Sequence, residues 1–431
     1  MNLFIKKPKK PLKGRIRPVS DKSITQRLIL FSLLTDDECI FEKISLATDP
    51  LSTLEAAKKL GLNVRLEADT LITKGPGFYN LQEPNQPICC GNSGTLMRFL
   101  MGLLAPSEIF TVLSGDDSLS ERPMERIAKP LRMMGANIYQ RVNGKAPMAI
   151  VGSQLKGIDY VLPIASAQLK SAIILAALHS EGVSNITEKI PSRDHTERIL
   201  KAMGAKLTLN DANIEVQPQE KLHGLQVRVG GDFSAAAFFI GAGLLVEGSE
   251  IIIEEVNLNP TRTGLLRVLK RMGAKLEIEE NASVEPFGDL MVKSQELEKT
   301  EVSPLEIPSL IDEIPLLAVL AAASKSETII KGVKELKVKE SDRLEGIIKL
   351  LSLLGRHSFT DGDDLYISGQ EGVFNGGIYD PQKDHRLTMA AAIAALNAPQ
   401  GIIIKDAECV KVSQPNFYSE LEKIGVLIEE A

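Results

Sequence analysis

Residues 166–210 read SAQLKSAIILAALHSEGVSNITEKIPSRDHTERILKAMGAKLTLN. A polar start, SAQLK, leads into the Ala/Leu/Ile-rich run SAIILAALHS (171–180). That run is apolar on most sides, the pattern of a helix buried on all faces. SNITEK (184–189) follows as a short strand-like piece. DHTERILKAMG (194–204) then reads as a surface helix closed by Gly204, because a glycine past the last turn adopts the left-handed conformation at little cost. AKLTL (205–209) alternates as a strand does. The unit is therefore buried helix, strand, surface helix, glycine stop, strand.

The same unit recurs six times. Its stops are KKLG at Gly61, RMMG at Gly135, KAMG at Gly204, KRMG at Gly273, SLLG at Gly355 and EKIG at Gly425, spaced 69 to 82 residues apart. Interleaved with them, six polar loops open apolar runs: DKSITQR from Asp21, GNSGT from Gly91, SAQLK from Ser166, GDFSA from Gly231, LIDEIP from Leu310 and DHRLT from Asp384. Two interleaved series make an accident of one large sheet improbable and mark a repeat architecture. Six units suit an α/β fold of two domains with three units each. The last unit ends at GVLIEEA without a final strand, and NLFIKKP near the start resembles the missing piece. We therefore expect one domain over 17–229 and a second formed by 230–431 and completed by 1–16.

Composition narrows the function. Apolar residues make up 44% and charged residues 25% of 431, an ordinary globular balance. A net charge of −6, with 4% aromatic residues and no Trp, argues against nucleic-acid binding, which needs bulk positive charge or stacking platforms. The most apolar run, Ala235 to Val246, is too short to span a bilayer, and the basic N-terminus lacks the apolar stretch of a secretory signal. Cys39, Cys89, Cys90 and Cys409 form no CxxC pair, and the five histidines show no metal-ligand spacing. Phosphate-loop, dinucleotide and GxSxG motifs are absent. The expectation is a cytoplasmic protein with no cofactor, no metal, no membrane and no nucleic acid.

Candidate site residues cluster in the six loops. A helix start offers free N–H groups and the positive end of the macrodipole, a ready anion site. The loops carry Lys22, Ser23, Arg27, Asn92, Ser93, Thr95, Ser166, Gln168, Lys170, Asp312, Glu313, His385 and Arg386. Further cations stand at Arg122 and Arg126, Arg193, Lys339 and Arg343. Any one polar residue beside a core could simply cap a helix. As a set of both signs, they point to a cleft for a phosphate- or carboxylate-bearing ligand, which guanidinium forks bind through two oxygens at once.

At this level of detail the chain resembles the enolpyruvyl transferases. DKSITQR resembles the family's PGDKSxxxR start, with Val19 and Ser20 in place of Pro-Gly. GNSGTLMR resembles its N-[AS]-G-T-x-x-R signature, and VKESDR from Val338 and DHR from Asp384 match as well. Lys22 is followed by Ser23, and the cysteines lie outside the RPM loop. Both features resemble the branch acting on shikimate 3-phosphate, not the branch acting on UDP-N-acetylglucosamine. RPMER (122–126), SAQLK (166–170) and NPTR (259–262) resemble the second subtype of that branch, associated with glyphosate tolerance, although Gly94 is the small residue of sensitive members.

The resemblance implies two inside-out α/β domains with the active site in the interdomain cleft, acting as a monomer without a cofactor. It implies transfer of the enolpyruvyl group of phosphoenolpyruvate to the 5-hydroxyl of shikimate 3-phosphate, with release of phosphate through a non-covalent tetrahedral intermediate. Shikimate 3-phosphate would be held by Lys22, Ser23, Arg27, Ser166, Ala167, Gln168, Arg193, Asp312 and Lys339. Phosphoenolpyruvate would be held by Lys22, Asn92, Ser93, Gly94, Arg122, Gln168, Arg343 and Arg386, where glyphosate would compete. Asp312 would accept the hydroxyl proton, Glu340 would exchange a proton with the methylene carbon, and Lys22 would serve the leaving phosphate. His385 and Lys411 are further candidates; Lys411 sits one residue out of step with the family's lysine. Spacing alone favours Glu340 as a surface partner of Lys339 or Arg343, a reading that the resemblance reverses, and a non-catalytic repeat-built binding protein stays open.

Overall fold

The computed structural model describes residues 1–210 and 212–431. The chain divides into two compact units. The first holds residues 20–229 with 283–285; the second holds 1–19, 230–282 and 286–431.

Each unit repeats one motif three times. Buried helices of the first are Lys22–Phe31, Gly94–Leu104 and Ala167–Ala177, and its surface helices include Thr48–Lys59, Glu125–Met133 and His195–Ala202. The second has Phe233–Leu245, Ile314–Ala322 and His385–Ala395 with Gly264–Arg271, Arg343–Leu353 and Phe417–Lys423. The segment opened by SAQLK forms the buried helix read from its apolar run, and Leu169 to Ala177 are all buried. In Phe233–Leu245 every residue through Leu244 is buried. Such helices sit at the middle of a unit, where each fully buried Leu, Ile or Phe side chain stabilises by about 1.5–3 kcal/mol. Approach is close: a Cβ on Gly102 would lie 2.2 Å from the Ala172 carbonyl oxygen on the neighbouring helix.

Among the described residues six four-stranded sheets, three per unit, share one topology. Asp159–Val161 lies parallel to Ser184–Thr187, which is antiparallel to Asn213–Val216, which in turn pairs with Leu207–Asn210. The six glycine stops all have positive φ, from 71° to 106°. Closure of each unit borrows distant chain. Gln226–Arg228 lies parallel to Glu38–Glu42 in the first. Leu3–Lys6 lies between Ile402–Ile404 and Leu427–Glu430 in the second, and Lys13–Ile16 runs beside Glu250–Asn257. Among the described residues no helix is long and apolar enough to cross a membrane.

Candidate active site

In the first unit the three buried helices start at one end, and side chains tie their first turns together. Gln26 Nε2 donates to Ser93 Oγ at 2.7 Å. Gln168 Nε2 donates to Thr95 Oγ1 at 2.9 Å, and Gln168 Oε1 accepts from Arg98. Asp21, Ser93 and Ser166 cap the helices by accepting from N–H groups of Ser23 and Ile24, of Leu96 and of Leu169. All three caps are short polar residues in extended backbone, the form that leaves the side-chain oxygen free to reach back. Asp21 takes it despite the missing Pro-Gly before it. Three positive helix ends are thus gathered together.

Cations surround these ends. Lys22 Nζ lies 3.0 Å from Asp49 Oδ2. Arg27 donates from Nε to Thr196 Oγ1 and from Nη1 to the Ser23 carbonyl, both at 2.9 Å, and stacks 4.8 Å over the Phe99 ring. Burial pulls its guanidinium down to about 10, against the opposing charges of Asp21, Glu197 and Glu285. Arg98 is pulled to about 9, by burial first and then by Arg126 and Arg122. Arg122 donates from Nη2 to Asn92 Oδ1 at 2.6 Å. A Cβ on Gly94 would lie 3.0 Å from Arg98 Nη1 and 3.5 Å from Arg122 Nη1, so this glycine lets the backbone face two guanidiniums. Arg193 is half-buried in the loop before the His195–Ala202 helix.

The second unit gathers its helix starts through ion pairs. Asp232 caps Phe233–Leu245 and accepts from Arg262 Nη2 at 3.2 Å. Ser234 donates to the buried Glu313, accepts from Arg262 at 3.0 Å, and its carbonyl accepts from Arg386 Nη1 at 3.0 Å. Asp384 caps His385–Ala395 and accepts from Arg343 Nε at 2.9 Å. Arg343 also reaches Asp312 Oδ1 at 3.4 Å and Glu340 Oε2 at 2.6 Å. Asp312 Oδ2 lies 3.9 Å from Arg262 Nη1, so this carboxylate stands between two guanidiniums.

Protonation follows from these contacts. Burial opposes the charge of Arg343, but Glu340, Asp384 and Asp312 together hold it above its ordinary value. Burial also drives the Glu340 carboxyl up, yet Arg343 and backbone hydrogen bonds outweigh it and leave the group below the usual carboxylate range. Its side chain is 48% exposed, open to a ligand as well as paired. Glu313 is pushed up, by burial and then by Asp312, against the pull of Arg262 and Arg386.

The structure brings Lys22, Ser23, Arg27, Asn92, Ser93, Gly94, Arg122, Ser166, Ala167 and Gln168 to the first of these two ends. It brings Asp312, Glu340, Arg343, His385 and Arg386 to the second, with Lys339 directly before Glu340. Lys411 stands exposed in a short 3-10 helix, Ala407–Val412, held to the His385–Ala395 helix by a 3.1 Å contact of Cys409 with Thr388. Residues not assigned a role from sequence also belong here. Arg98 lies inside GNSGTLMR but reads as part of an apolar helix. Arg262 closes NPTR, whose arginine gives no sign of its carboxylate partners. Lys170 and Glu313 are polar residues at helix starts with nothing local to say what they hold.

Two α/β units of three repeats, each with charged helix starts at one end, define the fold class of the enolpyruvyl transferases. The enolpyruvyl transferase NikO from Streptomyces tendae shares this fold, with a TM-score of 0.77 at 14% identity, covering 99% of this chain and 98% of that one. The profile of the EPSP synthase (3-phosphoshikimate 1-carboxyvinyltransferase) family matches residues 6–421. A 3-phosphoshikimate 1-carboxyvinyltransferase of Thermodesulfovibrio yellowstonii is 44% identical over 430 residues, 98% of this chain and all of the relative. The structure of EPSP synthase from Acinetobacter baumannii superposes with a TM-score of 0.92 at 37% identity, covering 99% of both chains. The chain belongs to the EPSP synthase family of transferases.

Proposed function

We propose that the chain carries out the reaction for which its family is named, moving the enolpyruvyl group of phosphoenolpyruvate to the 5-hydroxyl of shikimate 3-phosphate and releasing phosphate. The single observation that carries the residue-level reading is the Arg343 fork, which holds Asp312, Glu340 and Asp384 around one guanidinium. Asp312 accepts the hydroxyl proton. Glu340 exchanges a proton with the methylene carbon; it starts ionised beside Arg343, and anionic ligands entering the site raise its affinity for a proton. Lys22, Ser23, Arg27, Ser166, Ala167, Gln168, Arg193 and Lys339 hold shikimate 3-phosphate together with Asp312. Lys22, Asn92, Ser93, Gly94, Arg122, Gln168, Arg343 and Arg386 hold phosphoenolpyruvate, with Lys22 also serving the leaving phosphate; glyphosate competes there. His385 and Lys411 are weaker candidates at the margin of the site. The working domains are 17–229 and 1–16 with 230–431, and the protein acts as a cytoplasmic monomer.

The test is phosphate release from phosphoenolpyruvate with shikimate 3-phosphate or UDP-N-acetylglucosamine as acceptor. Release with the first alone is expected. Release with the second alone overturns the substrate, and release with neither, from folded protein, overturns the catalytic reading.

A further inference from the structure

We propose that Lys170 is a positioning residue: it fixes the loop that carries Arg193, and thereby the guanidinium presented to the phosphate of shikimate 3-phosphate. The inference rests on the reading above, in which Arg193 holds that substrate.

Lys170 lies one turn into the Ala167–Ala177 helix, two residues after Gln168, and its side chain is 1% exposed. Its ammonium is 2.8 Å from Glu188 Oε2, 2.7 Å from Glu197 Oε1 and 3.3 Å from the Ser192 carbonyl oxygen. Ser192 also donates to Glu188 through its hydroxyl. Glu188 directly follows the Ser184–Thr187 strand, Ser192 precedes Arg193, and Glu197 lies in the first turn of the His195–Ala202 helix. One ammonium therefore grips the loop at its entry, beside Arg193 and at its exit, and uses its three N–H donors to do so.

The fold does not ask for a cation here. Four residues after the N-cap, the other five buried helices carry Thr25, Met97, Ala236, Leu317 and Thr388. A buried ammonium with two carboxylates is a costly alternative to an apolar side chain, and its distinct product is a fixed loop geometry. The same first turn is tied to the substrate-facing helix start by Thr196, which accepts from Arg27 Nε at 2.9 Å and lies 2.6 Å from Ser171 Oγ. Without Lys170, Glu188 and Glu197 repel each other, the loop relaxes, and the Arg193 fork leaves the geometry in which it binds two oxygens at once.

The experiment is a double-mutant cycle on the full chain. It uses Lys170→Met, Arg193→Ala and the pair, with kcat and the two KM values measured by phosphate release. Lys170→Met is expected to raise KM for shikimate 3-phosphate roughly 10-fold to 100-fold, the scale of a misplaced binding group, and to leave KM for phosphoenolpyruvate within about threefold. In the Arg193→Ala background the same substitution is expected to add less than about threefold, because the group it positions is already gone. A purely structural role would lower the melting temperature yet act additively with Arg193→Ala. Additivity, or an unchanged KM for shikimate 3-phosphate, overturns the proposal. Should Lys170→Met not fold, the cycle is run with Glu197→Gln, which keeps an acceptor and the shape but loosens the grip; the same non-additivity is expected and its absence overturns the proposal. Wild-type protein without turnover would sink the functional reading itself, whereas wild-type turnover with additive variants sinks only the role of Lys170.

Discussion

The two units gather arginines at their helix starts and satisfy several of them differently, although Lys22 and Lys170 of the first unit also meet carboxylates. In the second unit Arg343 and Arg262 meet carboxylates directly, namely Asp384, Asp312, Glu340 and Asp232. In the first unit the hydrogen bonds of Arg27, Arg98 and Arg122 go to neutral acceptors: Thr196, the Ser23 carbonyl, Gln168, the Pro123 carbonyl, Asn92 and Ser118. A guanidinium whose hydrogen bonds go to neutral groups keeps charge that an anion can complete, and for Arg27 the charges of Asp21, Glu197 and Glu285 offset only part of the cost of burial. A carboxylate held by a guanidinium keeps a defined proton state until ligands change its surroundings. On the function proposed above, the first cluster holds oxyanions only, whereas the second, besides Lys339, Arg343 and Arg386, carries the carboxylates that would move protons.

The largest effect that could break this division concerns the proton-handling half. Asp312→Asn and Glu340→Gln are each expected to lower kcat by roughly 10²-fold or more, the usual contribution of a positioned acid or base. Thermal stability should change little for Glu340→Gln, whose side chain is half exposed. Near-normal kcat in both variants would leave the second unit's carboxylates with a structural role only.

The next effect sharpens the anion-holding half. Arg122→Ala removes a charged fork whose hydrogen bonds among the described residues go to Asn92 and Ser118, so it should raise KM for phosphoenolpyruvate by about tenfold or more, as expected for one hydrogen bond to a charged group. Gly94→Ala should act in the same direction but less, because its methyl, 3.0 Å from Arg98 Nη1, asks that side-chain end to give by only a few tenths of an ångström. If either substitution lowered kcat alone, with both KM values unchanged, the contrast between the units would be wrong.

Much of this was legible in the chain. The stops at Gly61 through Gly425 announce the repeat because only glycine takes positive φ there cheaply, and runs such as SAIILAALHS announce helices with no solvent face. The polar loops at Asp21, Gly91, Ser166 and Asp384 showed where helix starts would concentrate charge. The pairing of those charges was not legible. Arg343 finds Asp312 and Asp384 at separations of 31 and 41 residues, set by how three helices pack and not by any local spacing. Ser283–Glu285 group with the first unit although both flanks group with the second. Within that unit His195 Nδ1 lies 2.8 Å from Glu285 Oε1, with both side chains fully buried; no period in the sequence announces a contact 90 residues apart.

The smallest expected effect on catalysis tests whether the contrast is confined to the helix starts. At the far end of the Ala167–Ala177 helix, His179 stacks on Phe78 with ring centroids 3.5 Å apart and an interplanar angle of 3°. Among the described residues neither of its ring nitrogens has a hydrogen-bond partner. Burial depresses its pKa from 6.5 to about 3. The folded protein therefore keeps this ring neutral where the unfolded chain takes up a proton. Stability is fully present above pH 6.5 and falls as the pH drops toward 3, by up to about 1.4 kcal/mol per pH unit from this one group. His179→Phe keeps a ring against Phe78 and removes the titration. Its melting temperature should fall less steeply than that of the wild type between pH 7 and 5, while kcat and both KM values stay within about twofold, as for changes remote from a site. An unchanged slope would mean that the ring is protonated or solvated in the folded state. A change in KM for either substrate would mean that the anion-holding character of the first unit extends along its helices to their other end.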